Sequence, residues 1–254
     1  MRIIVLIKEV PDTYGERRLN PATGWIDRDS VDRVIDEIDE RALEVALSFK
    51  DTNKGTEIVA VAMGPASVRD SLRRALSMGA DRAVHVLDGA LEGADALLTA
   101  RTLAAVIRTQ GADLVIAGNE STDGAGGVVP AMISELLDQP LLGGVGDIGI
   151  APASVRGTRI TAAYSAVLSA PLPAVISVAE RVPEARFPNF KGIMGAKRKP
   201  IDVVGAADLG IEPRSGSTVL SVLERPARSG GRILTDQGDA GSAIVDLLRE
   251  RKAI

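Results

Sequence analysis

There is no cysteine among the 254 residues. Disulfides, thiolate catalysis and cysteine-held zinc or iron–sulfur centres are excluded together. A single histidine leaves nothing for a histidine-rich metal site. The aromatics amount to three Phe, two Tyr and one Trp, so the core must be built from Val, Ile, Leu and Ala, as in a buried parallel sheet. Charge is not lopsided. Thirty Lys and Arg against 34 Asp and Glu give −4, which offers no reason to expect nucleic acid or an anionic membrane as main partner. No apolar run approaches the ~18–20 residues of a spanning helix, so membrane insertion is not expected. The opening MRIIVLIKEVPD has no small-residue cleavage site and turns acidic at once. It reads as a first strand rather than a signal peptide, and the expected location is the cytoplasm.

What is present is a rhythm. Residues 2–10 are β-branched and bounded by Pro11, as a central strand would be. A polar stretch to Ser30 reads as a loop or small hairpin. From Val31 the apolar positions 31, 34, 35, 38, 42, 45, 46 and 49 keep helical spacing, with Asp, Glu and Arg on the other face. Strands are expected at 57–63, 83–87, 113–117 and 171–180, and helices ending at Gly79 and over 94–108, 128–138 and 240–252. Ser67 and Asp70 suit a capping box. Strands alternating with helices indicate βαβ units: an α/β fold with a doubly wound parallel sheet. After Pro140 the text turns Gly-rich and suggests short hairpin strands. The expected division is an α/β domain over 1–201 and, from 202 to 254, an arm with few apolar clusters of its own that packs on something else.

The stretch AGNESTDGAGGVVPAMISELLDQP (117–140) follows a strand and opens a helix, the place where doubly wound sheets bind ligands. Gly124, Gly126 and Gly127 would let phosphate oxygens approach the backbone, and the N-terminus of the helix would attract them. Ser121, Thr122 and Asp123 add side-chain hydrogen bonds, with Asp123 better suited to a hydroxyl or a backbone amide than to phosphate. A tight strand–helix turn without ligand explains the same glycines. The loop has no lysine and is neither GxxxxGK[ST] nor GxGxxG after the first strand, which counts against a P-loop ATPase, a kinase and an ordinary dinucleotide dehydrogenase.

Three other features have two readings each. His85 lies in an apolar strand and reads as locally hydrogen-bonded, with no catalytic part. The acidic run Asp36, Glu37, Asp39 and Glu40 is a solvated helix face, or a contact for a nucleotide at the ligand edge of the sheet. RFPNFKGIM places Phe187, Phe190, Ile193 and Met194 among Arg186, Lys191, Lys197, Arg198 and Lys199. It is a loop folded back on the core, or an apolar anchor in a charged ring for protein docking.

VLIKEVPD (5–12), RRALSMGADRAVHV (73–86), the 117–140 stretch and LPAVISVAERVPEARFPNFKGIMGAKRKPI (172–201), in this order and spacing, resemble the electron transfer flavoprotein β subunit along nearly the whole chain. The resemblance implies an electron carrier, not an enzyme with catalytic residues of its own. Its partner would be an α subunit that holds most of the FAD. Flavin dehydrogenases would deliver the electrons and a quinone oxidoreductase would accept them. It further implies a buried AMP at Leu6, Asp36, Glu37, Ile38, Asp39, Met63 and the run Ser121, Thr122, Asp123, Gly124, Ala125, Gly126, Gly127, Val128, Val129, Pro130, Ala131 and Met132. Family members carry extra acidic residues where this chain has Gly124 and Ala125, so polar contacts there must come from backbone.

By the same resemblance, residues 11–14 approach the flavin. A docking loop spans 184–199 and uses Arg186, Phe187, Pro188, Asn189, Phe190 and Lys191, with Phe187 where the family anchor is commonly Leu. The arm beyond 202 wraps the α subunit. RGTRITAAYSAVLSA (156–170) is shorter than the family hairpin and lacks its Asp-Gly turn. Two alternatives stay open: a stand-alone ATP-binding regulatory module, and a bifurcating family member with a second FAD in place of AMP.

Overall fold

The computed structural model describes every residue except 224, 227–229, 232, 234 and 237. Two compact units divide at Ser221 and Val222.

The first unit is built on a nine-stranded sheet. β1 (Arg2–Leu6) is flanked by β4 (Glu57–Met63) and β6 (Leu114–Gly118). Beyond β4 lie β5 (Arg82–Val86) and β11 (Ile201–Val204); beyond β6 lie β10 (Ala174–Val178), β7 (Leu141–Ala151), β8 (Ser154–Ile160) and β9 (Ser165–Pro171). The pairings from β11 through to β7 are all parallel, whereas β7–β8 and β8–β9 are antiparallel. The fold is α/β and doubly wound, as the alternation of strands and helices predicts, and the Gly-rich text after Pro140 forms the antiparallel edge.

Both faces of the parallel strands are buried, which is why they read as continuous apolar runs. Along β1, Ile3 and Val5 point into one core and Ile4 and Leu6 into the other. The first core is closed by α1 (Glu37–Thr52) and α2 (Val68–Met78), through residues such as Leu43, Leu47, Leu72 and Leu76. The second is closed by α3 (Ala96–Gln110) and α4 (Val129–Leu137), through Leu98, Val106, Ile107 and Ile133. His85 is buried in β5 with Nε2 3.0 Å from the Gly64 carbonyl oxygen, the local bond expected of it.

Several boundaries differ from the sequence expectation. The first strand leaves the sheet after Leu6. Residues 9–11 form β2, paired antiparallel with β3 (Arg33–Ile35) in a small separate sheet. The helix expected from Val31 therefore begins at Glu37. Val34 and Ile35 fit a helical period and a β-strand equally well, and pairing with Glu9–Pro11 decides between them. Ser67 forms no capping box. It already has helical dihedrals, and its hydroxyl donates to Glu9 Oε1 at 2.7 Å. Segment 184–199 contains a helix, α5 (Phe190–Ala196), capped by Asn189, whose Oδ1 accepts from the Gly192 amide at 2.8 Å.

Residues 201–204 pair with β5, and Val204, Ala206, Leu209 and Ile211 pack on the second core. In the second unit, α6 (Ala240–Glu250) exposes Ile244, Val245 and Leu248.

Candidate functional site

The strand order reverses beside β1. From there the chain steps outward through β4 to β5, then crosses back to lay β6 on the other side of β1. The two crossovers leave on opposite faces, so a crevice opens between the carboxyl ends of β1 and β6. Asp39, in the first turn of α1, joins those two ends. Its Oδ2 accepts from the Lys8 amide at 2.8 Å and its Oδ1 from the Gly118 amide at 2.9 Å. Each strand-end amide has lost its ladder partner there and must find another. Gly118 is required for the approach. A Cβ at this position would collide with Ile38 Cγ2 and stand 2.7 Å from Asp39 Oδ1. Burial, followed by the nearby Asp36 charge, pushes the Asp39 carboxyl up to about 7, against the pull of its two amide donors and Lys8.

The loop after β6 is tied down from several sides. Asp36 Oδ2 accepts from the Thr122 amide at 2.8 Å and its hydroxyl at 3.2 Å. Lys8 Nζ reaches Ser121 Oγ at 2.9 Å and Asp123 Oδ1 at 2.6 Å, while Arg28 Nη2 donates to Asp123 Oδ2 at 2.6 Å. Arg17 donates to the Thr122 carbonyl oxygen. Burial acts to raise the Asp123 carboxyl. The hydrogen bond and charge of Lys8, joined by Ser121 and Arg28, outweigh this and hold it well below the usual carboxylate range.

Two cations thus meet one carboxylate, which removes the repulsion of phosphate expected of Asp123. The Gly124 amide also donates to it at 2.6 Å. Lys8 and Arg28 were not singled out by sequence reasoning. Lys8 lies two residues past β1, at the ligand edge, and the strand read over 2–10 hid that position; nothing local marks Arg28.

The rest of the loop turns through two left-handed residues, Ala125 at φ 45° and Gly127 at φ 62°. The turn delivers the chain to α4 with Pro130 in its first turn and no side chain capping it. Among the described residues, the amides of Gly126, Gly127, Val128 and Val129 have no hydrogen-bond acceptor. They form a ready anion site. Below them Leu6, Met63, Val129 and Met132 share the second core's apolar cluster. Asp36 Oδ1 is buried and has no partner among the described residues. A buried acceptor of this kind calls for a donor the chain does not itself supply.

Free amides, an orphaned acceptor and an apolar floor fit the phosphate, the ribose hydroxyls and the base of an adenine nucleotide. Not every expected site residue joins them. Ile38 lies in the first core. Glu37 is exposed and pairs with Arg41 at 2.8 Å. Ala131 points outward from α4.

Next to the crevice, an open cleft of about 1300 Å³ lies under the β2–β3 hairpin. Glu9, Asp12, Tyr14, Glu37, Asp70 and Thr122 are among its lining residues. The 11–14 turn stands on its rim with Tyr14 fully exposed.

On α1 and α2, the 184–199 segment is pinned at both roots. Arg186 forks onto Glu44 and Asp51, and Arg73 Nη1 donates to the carbonyl oxygens of Ala196 and Lys199 at 2.6 and 2.7 Å. Lys199 Nζ donates to the Leu76 and Ala80 carbonyl oxygens at 2.9 and 2.5 Å. Between the roots Phe187 is 87% exposed and Phe190 80%.

Crevice and sheet together define a doubly wound α/β protein with an anion-accepting loop at its switch point. The electron transfer flavoprotein domain model matches residues 23–209. The chain is 44% identical to the electron transfer flavoprotein subunit beta of Mycobacterium bovis, over 99% of each chain. It is 34% identical to that subunit of Mus musculus, over 91% of each. It is also 34% identical to subunit CarD of the caffeyl-CoA reductase-Etf complex of Acetobacterium woodii, over the full length of both. The chain belongs to the electron transfer flavoprotein family, as a β subunit.

Proposed function

We propose that this chain is the β subunit of a heterodimeric electron transfer flavoprotein in the cytoplasm. It supports an FAD held mainly by an α subunit, holds a structural AMP in its own crevice, and docks flavin dehydrogenases through segment 184–199. The bound FAD would supply the redox chemistry; this chain's residues bind, orient and exclude water. The observation that carries the nucleotide reading is the row of free amides from Gly126 to Val129 beside the orphaned Asp36 Oδ1. In it, the amides take phosphate, Asp36 accepts from a ribose hydroxyl, and Leu6 and Met63 lie under the base. Exposed Phe187 and Phe190 on a pinned segment suit a brief contact with a partner protein. Of the arm expected over 202–254, residues 202–217 lie on this chain's own sheet, second core and Asp95; the part beyond them is assigned to the α subunit, whose surface would cover Ile244, Val245 and Leu248.

Co-expression with the α subunit, followed by nucleotide extraction, tests the reading. One FAD and one AMP per heterodimer are expected. Absence of a stable heterodimer, or of flavin absorbance in it, would sink it. A second reading is kept because the chain aligns end to end with a subunit of a caffeyl-CoA reductase-Etf complex as well as with plain β subunits. In that reading the crevice holds a second FAD, and extraction returns two FAD and no AMP. The stand-alone ATP module loses support from the end-to-end match to β subunits. Tight ATP binding by the isolated chain would revive it.

A further inference from the structure

Between α2 and α5 runs a groove of about 600 Å³, which adjoins the cleft at Arg74, a residue that lines both. Arg69, Arg73 and Arg74 line it from α2; Pro188, Ile193 and Lys197 line it from the 184–199 segment. No carboxylate is among its lining residues, although the chain as a whole carries −4. The cations are not equivalent. Arg73 is spent on the carbonyl oxygens of Ala196 and Lys199, and Arg74 on Glu40. Arg69 and Lys197 are exposed, on opposite walls, and neither side chain has an acceptor or ion-pair partner among the described residues. Ile193 and Met194, each about half exposed, extend the apolar surface toward Phe190.

The groove cannot easily collapse or drift. Gly192 of α5 lies so close to α2 that a Cβ there would collide with the Ser77 carbonyl oxygen. The roots of the segment are bonded to α1 and α2 as described above. A rigid slot with a free cation on each wall and an aliphatic side favours an acidic occupant over a neutral or basic one.

We infer that this groove is a second docking element, which receives an acidic side chain, flanked by an aliphatic one, from the dehydrogenase that delivers electrons. The carboxylate lies between Arg69 and Lys197 and its aliphatic neighbour on Pro188 and Ile193. The inference rests on the docking role proposed for segment 184–199 and adds the chemistry of the partner. Phe187 and Phe190 supply the apolar anchor; the groove selects for charge and speeds encounter.

The test uses the intact heterodimer and a purified flavin dehydrogenase that reduces the wild type. Second-order rates of flavin reduction are measured at low and high salt for wild type, Arg69→Glu, Lys197→Glu and Phe187→Ala. Both cations are exposed, and flavin content reports that each variant is assembled. Each charge reversal is expected to lower the low-salt rate about 10-fold and to flatten its salt dependence, with the rate at saturating dehydrogenase unchanged. Wild-type rates and salt slope in both reversals overturn the inference. If Phe187→Ala is slow while the reversals are normal, the docking role stands and the groove falls; if all three are normal, both fall. Citrate that binds the groove by titration without slowing the dehydrogenase marks a small-anion site and also overturns it.

Discussion

Arg186 and Glu44 form a two-pronged ion pair: Nε donates to Oε2 at 2.7 Å and Nη2 to Oε1 at 2.8 Å, with the Arg186 amide adding a third bond at 3.1 Å. Arg186 was expected to meet a partner protein. In the folded chain its guanidinium is a strut that fastens segment 184–199 to α1 and leaves neighbouring Phe187 exposed. Burial acts to raise the Glu44 carboxyl, but the Arg186 bonds outweigh it and hold it below its ordinary 4.5. The lowered value means stability that is present above about pH 4.5 and lost as pH falls through the folded-state value. Glu44→Gln should cost about 1–2 kcal/mol in urea unfolding at pH 7, discounted because Arg186 is a third exposed. It should also slow reduction by the dehydrogenase without loss of flavin. Unchanged unfolding and unchanged reduction would remove the strut.

Asp39 gives the opposite pH dependence. Its carboxyl is raised from 3.8 to about 7. The folded state therefore prefers it protonated, and its contribution is complete below about pH 4 and lost as pH rises through about 7. The wild-type chain should thus lose stability between about pH 4 and pH 7 in denaturant titrations. Asp39→Asn should be flatter over that window while less stable at pH 5, because an amide cannot accept from both the Lys8 and Gly118 N–H groups. A variant with the wild-type slope would show that another group titrates.

At Gly118 the limit is steric. Ile38 and Asp39 occupy the space a methyl group would need, and α1 would have to move away from the sheet edge. Gly118→Ala is expected to destabilise by about 2–3 kcal/mol and to lower the AMP content of purified heterodimer. Calorimetry and nucleotide extraction check the two effects separately. A variant of normal Tm and normal AMP content would mean that the α1 contact yields easily.

Gly127 is required for both shape and charge. It sits at φ 62° among the free amides, a conformation that resists side chains, and a carboxylate there would face phosphate. Gly127→Asp should sharply reduce AMP per heterodimer, whereas Gly127→Asn, which tolerates left-handed backbone, should reduce it less. Equal and normal AMP content in both would displace the phosphate from the start of α4.

The sequence by itself determined the architecture. Runs such as IIVL, IVAVA and LVIA are apolar without alternation, so each strand needs cover on both faces, and the helical periods between them supply it. The absence of cysteine and the single histidine determined what chemistry the chain could not do. The loop at 117–140 was legible because glycine between a strand and a helix is a local signal.

What only the tertiary structure decided are the partnerships between distant residues. Val34 and Ile35 satisfied two periods, and pairing with Glu9–Pro11 settled them as strand. The loop's missing lysine arrives as Lys8, just past the first strand and 113 residues before Ser121, and Arg28 arrives from the hairpin beyond it. The acidic run at 36–40 has two readings in sequence, a solvated helix face or a nucleotide contact. Folding divides the run: it buries Asp36 and Asp39 at the switch point and leaves Glu37 in solvent. Local propensity depends on neighbours in sequence, whereas a carboxylate's burial, its partners and its proton depend on neighbours in space.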